Sequence, residues 1–397
     1  MVMENHLVHS YNQLPVQFEY GEGSYLYDTN GKKYLDAYCG IAVTGLGHNH
    51  PAVTKAIQEQ AAKIIHTSNL VEITQQIELS NILAGLSGMD AEVFFNNSGA
   101  EAVETAIKLA RLYGRSKNIN NPKIIVMEGA FHGRTMATIS AGDNAKARDG
   151  FDPLLSGFVR VKYNDVNSLD AAIKLDAEIV AVLLEPIQGE SGILVPSKDY
   201  LNNVRAICDQ YNLLLMVDEV QSGIGRTGKF FCFEHNNIKP DVITMAKGLA
   251  NGVPIGACII RKPYCDLFKP GSHGSTFGGN PLSCAAAVAT VQEIVKNQLY
   301  LNAIAQGEKI LAGLSAALSN NSHVKAVRGK GLMIGIELDR PCREILNIAL
   351  QHNIVFNLAS VNVLRILPAL NINAEQAQAI IDIIPAVIND YYSNHVT

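Results

Sequence analysis

The segment Leu213-Leu-Leu-Met-Val-Asp-Glu-Val-Gln221 decides how the rest of the chain is interpreted. Its apolar run predicts a buried strand, and a carboxylate, Asp218, and an amide, Gln221, follow the strand directly. Because ligands bind beyond the carboxyl ends of strands in a parallel sheet, this position favours a functional role for both polar side chains. A solvated turn or a helix N-cap is the alternative explanation for a single Asp.

The same pattern of short apolar runs continues on both sides of this segment. The runs lie at 91–95, 123–127, 178–184, 213–217, 241–245 and 256–260. Most of them are separated by amphipathic, helix-like segments such as 101–113 and 198–211. This alternation predicts an α/β fold whose large domain has a mostly parallel central sheet with helices on both faces.

The two ends of the 397-residue chain differ from its middle. Residues 20–36 predict a hairpin with Asn30-Gly31 at its turn. Residues 281–319 predict a long helical stretch, followed by strands near 324–328 and 332–338. We expect the two ends to form one smaller, discontinuous α+β domain. The expected domains are 1–55 with 286–397 (small) and 56–285 (large).

Composition and charge narrow the classes of partner. The net charge is −5 and like charges form no long block, which argues against a nucleic-acid or anionic-membrane surface and favours small-molecule substrates. The seven cysteines show no Cys-x-x-Cys spacing, so neither a disulfide framework nor a zinc site is expected. No export signal or run of about 18 apolar residues is evident. We expect a cytoplasmic protein.

Lys247 closes the apolar run after Asp218 and lies 29 positions beyond it. A lysine forms a Schiff base only when its amine is deprotonated, which burial promotes, while a carboxylate can pair with a basic ring nitrogen. The two residues together predict pyridoxal 5′-phosphate as the cofactor. A surface lysine whose stem covers apolar neighbours is the alternative explanation for Lys247 alone.

Polar motifs follow other predicted strands. Ser98 and Glu101 have capping-box spacing at the start of a helix whose small first residues leave room for a phosphate. Phe131 could cover a planar ring, and Arg134 could bind a carboxylate bidentately. Glu185 and Glu190, the two carboxylates that follow the run 178–184, could pair with an arginine. A helix cap, a core Phe and ordinary surface charges explain the same residues without a ligand.

Two other motifs are less informative. Gly223-Ile-Gly-Arg-Thr-Gly228 matches the dinucleotide-binding pattern and suggests an NAD-dependent oxidoreductase, but its glycines begin well past the strand and no amphipathic helix follows. A flexible loop explains it better. His48 and His50 have no evident third ligand, so no metal site is expected.

With these residues in view, the chain resembles the class III (subgroup II) pyridoxal-phosphate-dependent aminotransferases from about Pro15 to about Pro385. The motifs that carry the resemblance are Gly-Ile-Ala-Val-Thr-Gly-Leu-Gly-His (40–48), Asn-Ser-Gly-Ala-Glu-Ala (97–102), Ala-Phe-His-Gly-Arg (130–134), Glu-Pro-Ile-Gln-Gly-Glu (185–190), Asp-Glu-Val-Gln-Ser-Gly-Ile-Gly-Arg-Thr-Gly (218–228), Ala-Lys (246–247) and Pro-Gly-Ser-His-Gly-Ser-Thr-Phe-Gly-Gly-Asn-Pro (270–281). The resemblance implies a fold-type I PLP-dependent transferase.

The resemblance also implies roles for individual residues. Lys247 would carry the cofactor and move the proton, and Asp218 would pair with the pyridinium nitrogen. The other implied cofactor contacts are Ser98, Gly99, Ala100, Phe131, Glu219, Val220, Gln221 and Thr276, the last reaching a phosphate in the neighbouring subunit of a homodimer with shared active sites. The implied substrate contacts are Arg134, Glu190, Ser275 and Arg365. Ala100 departs from the Thr that is commoner in the family.

The resemblance implies a ping-pong reaction in which the δ-amino group of N2-acetyl-L-ornithine passes to 2-oxoglutarate. Ile41 stands where similar enzymes for free ornithine carry a tyrosine, which favours an acylated donor. Ornithine, succinylornithine, succinyl-diaminopimelate and 4-aminobutyrate stay open as alternative donors. A catalytically inactive binding protein is disfavoured because Lys247, Asp218 and Arg134 are all present.

Overall fold

A computed structural model describes residues 6–394 of the chain. Its strands are β1 (Phe18–Glu22), β2 (Tyr25–Asp28), β3 (Lys33–Asp36), β4 (Ala91–Asn96), β5 (Lys123–Met127), β6 (Phe158–Val161), β7 (Ile179–Leu184), β8 (Leu214–Asp218), β9 (Val242–Met245), β10 (Gly256–Arg261), β11 (Val324–Lys330), β12 (Met333–Leu338), β13 (Ile354–Val355), β14 (Asn357–Ala359) and β15 (Val363–Ile366). Its α-helices are α1 (Cys39–Ala42), α2 (Pro51–Ala61), α3 (Thr74–Ser87), α4 (Gly99–Ser116), α5 (Met136–Ala141), α6 (Ala145–Arg148), α7 (Val166–Leu175), α8 (Tyr200–Tyr211), α9 (Pro281–Lys296), α10 (Leu299–Ala317), α11 (Ile345–Gln351) and α12 (Ala374–Asn394).

The central sheet has the strand order β4-β10-β9-β8-β7-β5-β6. Strands β5 to β9 pair in parallel, and β10 is antiparallel to both of its neighbours. Every apolar run predicted as a strand is one, so the mostly parallel sheet is confirmed. The edge strand β6 was not predicted, because Arg160 interrupts its apolar pattern and most of its residues are only partly buried.

Helices cover this sheet on both faces. Strand β7 is buried along its whole length, and its residues divide between two different hydrophobic clusters. Val182 and Leu184 pack in the cluster that contains α8 residues such as Val204. Ala181 and Leu183 pack in the cluster that contains the buried face of α4. The continuous apolar run of β7 is therefore the signature of a strand enclosed on both sides.

Two smaller sheets come from the chain ends, with strand orders β1-β2-β3-β13 and β11-β12-β15-β14. The predicted hairpin is confirmed, since Tyr25 pairs with Leu35 across the turn at Asn30-Gly31. Strand β13 pairs in parallel with β3, so residues from both ends share one sheet. The predicted domain limits, between residues 55 and 56 and between residues 285 and 286, stay a prediction. They fall inside α2 and α9, so no break in the secondary structure marks them. Residues 1–5 and 395–397 of the predicted small domain lie outside the described residues.

The predicted helical stretch 281–319 is two helices, α9 and α10. The chain breaks between them because Gln298 adopts a left-handed conformation with φ of 49°. Among residues 6–394, no helix combines the length and the apolar composition needed to cross a membrane.

Replacing Leu183 by Ala tests how strongly the sheet depends on its enclosed central strand. Leu183 is fully buried, so we expect the free energy of unfolding to fall by about 2–5 kcal/mol, measured by urea denaturation. The matched control is Leu175→Ala, because Leu175 is 89% exposed and its truncation should change little. Equal effects of the two substitutions would contradict the assignment of Leu183 to the core.

Candidate active site

Asp218 and Lys247 lie at neighbouring strand ends. Asp218 is the last residue of β8, and Lys247 begins a short 3-10 turn, Lys247–Ala250, directly after β9. Because β8 and β9 pair in parallel, with Asp218 opposite Thr244, both side chains reach the same edge of the sheet. They line one cavity of about 350 Å³.

Many of the residues singled out in the sequence line this cavity. They are Ser98, Gly99, Ala100, Phe131, Asp218, Val220, Gln221 and Lys247. The cavity lining does not include the other predicted residues, Arg134, Glu190, Glu219, Ser275, Thr276 and Arg365. Glu185, one of the two carboxylates noted after β7, also lines it. Lining residues to which the sequence interpretation gave no individual role are Val43, Asn97, His132, Gly133, Ala246, Gly252, Val253, Pro254 and Ile255.

The start of α4 forms one wall of the cavity. Ser98 caps this helix, because its Oγ accepts a hydrogen bond from the Glu101 N–H at 3.2 Å. Glu101 in turn accepts from the Asn97 N–H, so the predicted capping pair is confirmed with its return bond shifted by one residue. A Cβ on Gly99 would lie 2.8 Å from the Val220 side chain. Val220 thus leaves no room for a side chain at Gly99, and the N–H groups of the first turn, apart from that of Glu101, have no intrahelical acceptor.

His132 holds the Asp218 carboxylate. Its Nδ1 lies 2.7 Å from Asp218 Oδ2, and both side chains are buried. The other carboxylate oxygen, Oδ1, accepts from the Val220 N–H at 3.0 Å. A carboxylate only accepts hydrogen bonds, so His132 Nδ1 carries the hydrogen. This pairing could not be predicted from the sequence, because a single His in a loop does not indicate which strand end it faces.

Lys247 has an unusual environment and an unusual backbone. Burial lowers the pKa of its amine to about 8, and the nearby Arg365 guanidinium acts in the same direction, while the Glu190 carboxylate opposes the shift. Lys247 also has a φ of 46°, which is uncommon for a residue with a Cβ. A sizeable fraction of the amine is therefore neutral near pH 8, as a nucleophilic lysine requires.

Glu185 links two loops at the cavity wall. Its carboxylate accepts from the Phe131 N–H and the Gly189 N–H, each at 3.0 Å. Burial raises the pKa of Glu185 to about 7, although the positive charge on His132 would act against this shift. Glu185 thus fixes the backbone of the loop that carries Phe131 and that of the loop that carries Glu190.

Glu219, predicted as a cofactor contact, faces away from the cavity. Its carboxylate accepts from Ser222 Oγ at 2.8 Å and from the Phe233 N–H at 2.9 Å. Burial raises its pKa to about 7. Consecutive residues at a strand end point to opposite sides, so Asp218 and Glu219 do not reach the same space.

Arg365 on β15 forms an ion pair with Glu190. Arg365 is buried, and its Nε also donates to Asn357 Oδ1 at 3.1 Å. Gln221 contacts both partners: its Nε2 donates to Glu190 Oε1 and its Oε1 accepts from Arg365 Nη1, each at 3.3 Å. Burial alone would raise the pKa of Glu190, but the Arg365 guanidinium lowers it below its ordinary value. The pair therefore presents a neutralised guanidinium near Lys247.

The remaining predicted substrate and subunit contacts are accessible to solvent. The Arg134 guanidinium lies 5.5 Å from the centre of the Phe131 ring. Ser275 Oγ accepts from Asn97 Nδ2 at 3.2 Å, and Thr276 is exposed. None of these three residues lines the cavity, although Phe131 and Asn97, which Arg134 and Ser275 contact, do.

The chain matches known proteins along nearly its whole length. A model of the family described as aminotransferase class-III matches residues 7–388. The chain belongs to the class-III aminotransferase family. An acetylornithine aminotransferase from Nitrosomonas europaea is 48% identical over 392 residues, covering 99% of this chain and 100% of that protein.

Solved structures support the assignment of the chain to this family. An ornithine aminotransferase from Toxoplasma gondii superposes with a TM-score of 0.95 at 32% identity, covering 98% of this chain and 94% of that one. An acetylornithine aminotransferase from Elizabethkingia anophelis gives 0.88 at 34% identity, covering 97% and 96%. The predicted fold class, family and cofactor dependence are confirmed: the protein is a PLP-dependent aminotransferase.

The cavity of this aminotransferase fits pyridoxal 5′-phosphate. The uncovered first turn of α4 suits a phosphate, and Phe131 supplies an aromatic face. The Asp218 carboxylate, held by His132, suits a protonated ring nitrogen, and the amine of Lys247 suits an aldehyde. Three chemically different groups of the cofactor are thus matched by residues of one cavity.

The lowered pKa of Lys247 predicts how the apoprotein takes up its cofactor. Only the neutral amine attacks an aldehyde, so the rate of covalent uptake should rise about tenfold per pH unit below pH 8 and level off above it. Stopped-flow absorbance after mixing the apoprotein with pyridoxal 5′-phosphate measures this rate. A midpoint near the ordinary lysine value of 10.5 would contradict the environment described here.

The buried Glu219 predicts a pH-dependent gain in stability for Glu219→Gln. The Glu219 carboxyl stays protonated in the folded state up to about pH 7, whereas its ordinary pKa is 4.5. The stability that the protonated carboxyl contributes is therefore lost as the pH rises through 7. Gln resembles the protonated acid at every pH. Relative to the wild type, the variant should gain on the order of 1–3 kcal/mol between pH 5 and pH 8.

Urea denaturation of wild type and variant at the two pH values measures this gain. Glu308→Gln is the matched control, since Glu308 is exposed on α10. A difference that does not change with pH would refute the raised pKa.

Proposed function

We propose that this chain transfers the δ-amino group of N2-acetyl-L-ornithine to 2-oxoglutarate by a ping-pong mechanism, giving N-acetyl-L-glutamate 5-semialdehyde and L-glutamate, a step of arginine biosynthesis. The observation that carries the proposal is the Glu190–Arg365 ion pair beside Lys247. A guanidinium that is neutralised by a side chain of the same protein suits a donor with one free carboxylate. Once the Glu190 carboxylate has left it, the same guanidinium suits an acceptor with two carboxylates. The acetylornithine aminotransferases among its relatives support the same donor.

The cavity residues have distinct tasks in this proposal. When bound, pyridoxal 5′-phosphate supplies an aldehyde and an electron-accepting ring. Lys247 removes a proton from the substrate carbon and returns it, which its lowered pKa favours near neutral pH. Asp218, hydrogen-bonded by His132, stabilises positive charge on the ring nitrogen. Gln221 and Phe131, which line the cavity, would hold the ring hydroxyl and one ring face of the bound cofactor.

Substrate carboxylates meet two arginines in the proposal. Arg134, exposed beside Phe131, binds the carboxylate that both substrates share. Arg365 binds the second carboxylate of 2-oxoglutarate after Glu190 turns away. Asn357 keeps its hydrogen bond to Arg365 Nε throughout, so the guanidinium stays in place when Glu190 leaves. The protein thus accepts a substrate with one carboxylate and a substrate with two without moving β15.

The preference for an acylated donor depends on the segment that carries Ile41. Ile41 lies two residues before Val43, which lines the cavity, and it packs against a small buried cluster that contains Ile193 and Met333. Ile has no hydroxyl group to hold a free α-amino group. A free ornithine donor would therefore lack a partner at this position.

The proposal includes a cytoplasmic homodimer with shared active sites. Its cysteines are all buried and unpaired, as expected in a reducing compartment. Apolar side chains are exposed near the segment of Ser275 and Thr276 and on the preceding α2–α3 connection, among them Ile64, Ile65, Leu70, Val71 and Phe277. Exposed apolar groups of this kind favour a protein interface, which would bring Ser275 and Thr276 to a neighbouring active site.

Rates on a panel of donors test the proposed substrate. With 2-oxoglutarate as acceptor, kcat/KM for N2-acetylornithine should exceed that for ornithine by at least about tenfold, which corresponds to ~1.4 kcal/mol. The panel includes succinylornithine, succinyl-diaminopimelate and 4-aminobutyrate. Ile41→Tyr should narrow the gap, because the added hydroxyl can hold a free α-amino group. Faster transfer from ornithine in the wild type would overturn the assignment.

Two controls separate this proposal from other classes of function. Lys247→Ala should abolish transfer from every donor, and borohydride treatment of the loaded wild type should fix the cofactor to Lys247 in a peptide detectable by mass spectrometry. Nicotinamide dinucleotides should neither bind nor support turnover. Activity that survives Lys247→Ala would exclude the proposed mechanism.

A further inference from the structure

Arg328 on β11 forms hydrogen bonds with the loop that carries Glu190. Its Nε donates to the Gly192 carbonyl at 2.9 Å and the Ile193 carbonyl at 3.2 Å, and its Nη2 donates to Gly192 at 2.7 Å. On its other side, Nη1 pairs with Glu337 Oε2 on β12 at 2.5 Å. The planar guanidinium is thus fixed between a carboxylate on its own sheet and two backbone carbonyls of the loop.

The close approach of this loop to the sheet leaves little free space. A Cβ on Gly192 would lie 3.0 Å from Arg328 Nη2 and from Val363. Gly335 on β12 pairs with Arg328 on β11, and a Cβ on Gly335 would lie 3.0 Å from Ile193. A side chain at either position would therefore press on the contact between the loop and the sheet, so the loop is closely packed as well as hydrogen-bonded.

The same sheet also holds Glu190 itself. The Glu190 carbonyl accepts from the Ser360 N–H at 2.9 Å, and its carboxylate pairs with Arg365 on β15. Strands β11, β12, β15 and β14 are hydrogen-bonded neighbours, so one sheet supplies the guanidinium that Glu190 neutralises and the contacts that position Glu190. Only the Glu190 side chain is then free to turn away from Arg365.

We propose that Arg328 is a positioning residue that determines substrate preference by setting how effectively Glu190 competes with a substrate carboxylate for Arg365. A carboxylate held on a fixed loop has a high effective concentration at its partner, and loosening the loop lowers that concentration. With Glu190 less often in place, a dicarboxylate binds Arg365 more easily. A donor without a second carboxylate instead meets a buried, unneutralised guanidinium, which is unfavourable.

The proposal rests on the proposed function and is tested by measuring the two half-reactions of Arg328→Gln separately. Single-turnover absorbance gives the apparent dissociation constants of the donor and of 2-oxoglutarate. The constant for 2-oxoglutarate should fall and that for the donor should rise, each by about fivefold, the effect of losing an ordinary hydrogen bond. A change of both constants in the same direction, or of neither, would overturn the proposal, since general damage to the fold weakens both.

Hydrogen exchange of the apoprotein supplies a readout that needs neither cofactor nor substrate. Amides of residues 189–194 should exchange faster in Arg328→Gln than in wild type, and unchanged exchange would overturn the proposal. Lys325→Gln is the matched control, because Lys325 is exposed on the same strand and should change neither measurement. Glu337→Gln should shift the dissociation constants of the donor and of 2-oxoglutarate in the same directions as Arg328→Gln does, but by a smaller factor.

Arg328→Lys keeps the test decisive if the Gln variant does not fold. Lysine retains the charge but not the planar fork, so it should produce the same opposed shifts. Failure of the proposed donor is distinguishable from failure of this inference. If another amine proves to be the donor, its half-reaction replaces that of N2-acetylornithine, and the acceptor constant and the exchange rates still decide the role of Arg328.

Discussion

The parallel pairing of β8 with β9 is the constraint on which the active site depends. It places the carboxyl ends of both strands at one edge of the sheet, so Asp218 and Lys247 meet although 29 positions separate them. Both strands are buried along their whole length, so a shift in their register would disrupt the close packing on both faces of the sheet. Other cavity residues come from the loops that follow β4, β5 and β7, from the segment 252–255 before β10, and from Val43 after α1. The hydrophobic interior of the sheet and the chemistry at its edge are therefore consequences of one arrangement.

Charges at this edge are arranged in compensated groups. Asp218 has His132, Glu190 has Arg365, and Glu185 has two backbone N–H groups. A buried charge without such a partner would be costly. Lys247 is the exception: none of the described hydrogen bonds or ion pairs reaches its amine, and its pKa is lowered to about 8. Because its neighbours satisfy one another, the amine is left neutral for a substantial fraction of the time, and this is the state that chemistry at an aldehyde requires.

The sequence was sufficient for features whose cause is local. Strands enclosed on both faces, such as β7, show a continuous apolar run, and the β2–β3 turn has Asn30-Gly31. Strand β6 was missed because an edge strand with Arg160 at its centre lacks that run. The hydrogen-bond partners of His132 and Glu185 and the direction of the Glu219 side chain were not predicted, for a different reason. Their roles depend on which strand ends become neighbours and on the direction of each side chain, and the spacing of residues in one chain records neither.

Backbone strain is concentrated where the cavity needs a fixed shape. Cys39, Ile41 and Ala42 in α1 all have positive φ, which costs roughly 1–2 kcal/mol per residue with a Cβ. Asp36 offsets part of this cost, because its Oδ1 accepts from the N–H groups of Tyr38 and Cys39. The segment Cys39–Ala42 packs on the Lys247–Ala250 turn, since a Cβ on Gly248 would lie 3.3 Å from the Ala42 carbonyl. Asn251 then ties the two segments together through the Leu46 N–H and the Gly47 carbonyl. Two unfavourable conformations thus support each other across one contact, and the position of Lys247 depends on residues of the N-terminal sheet as much as on its own strand.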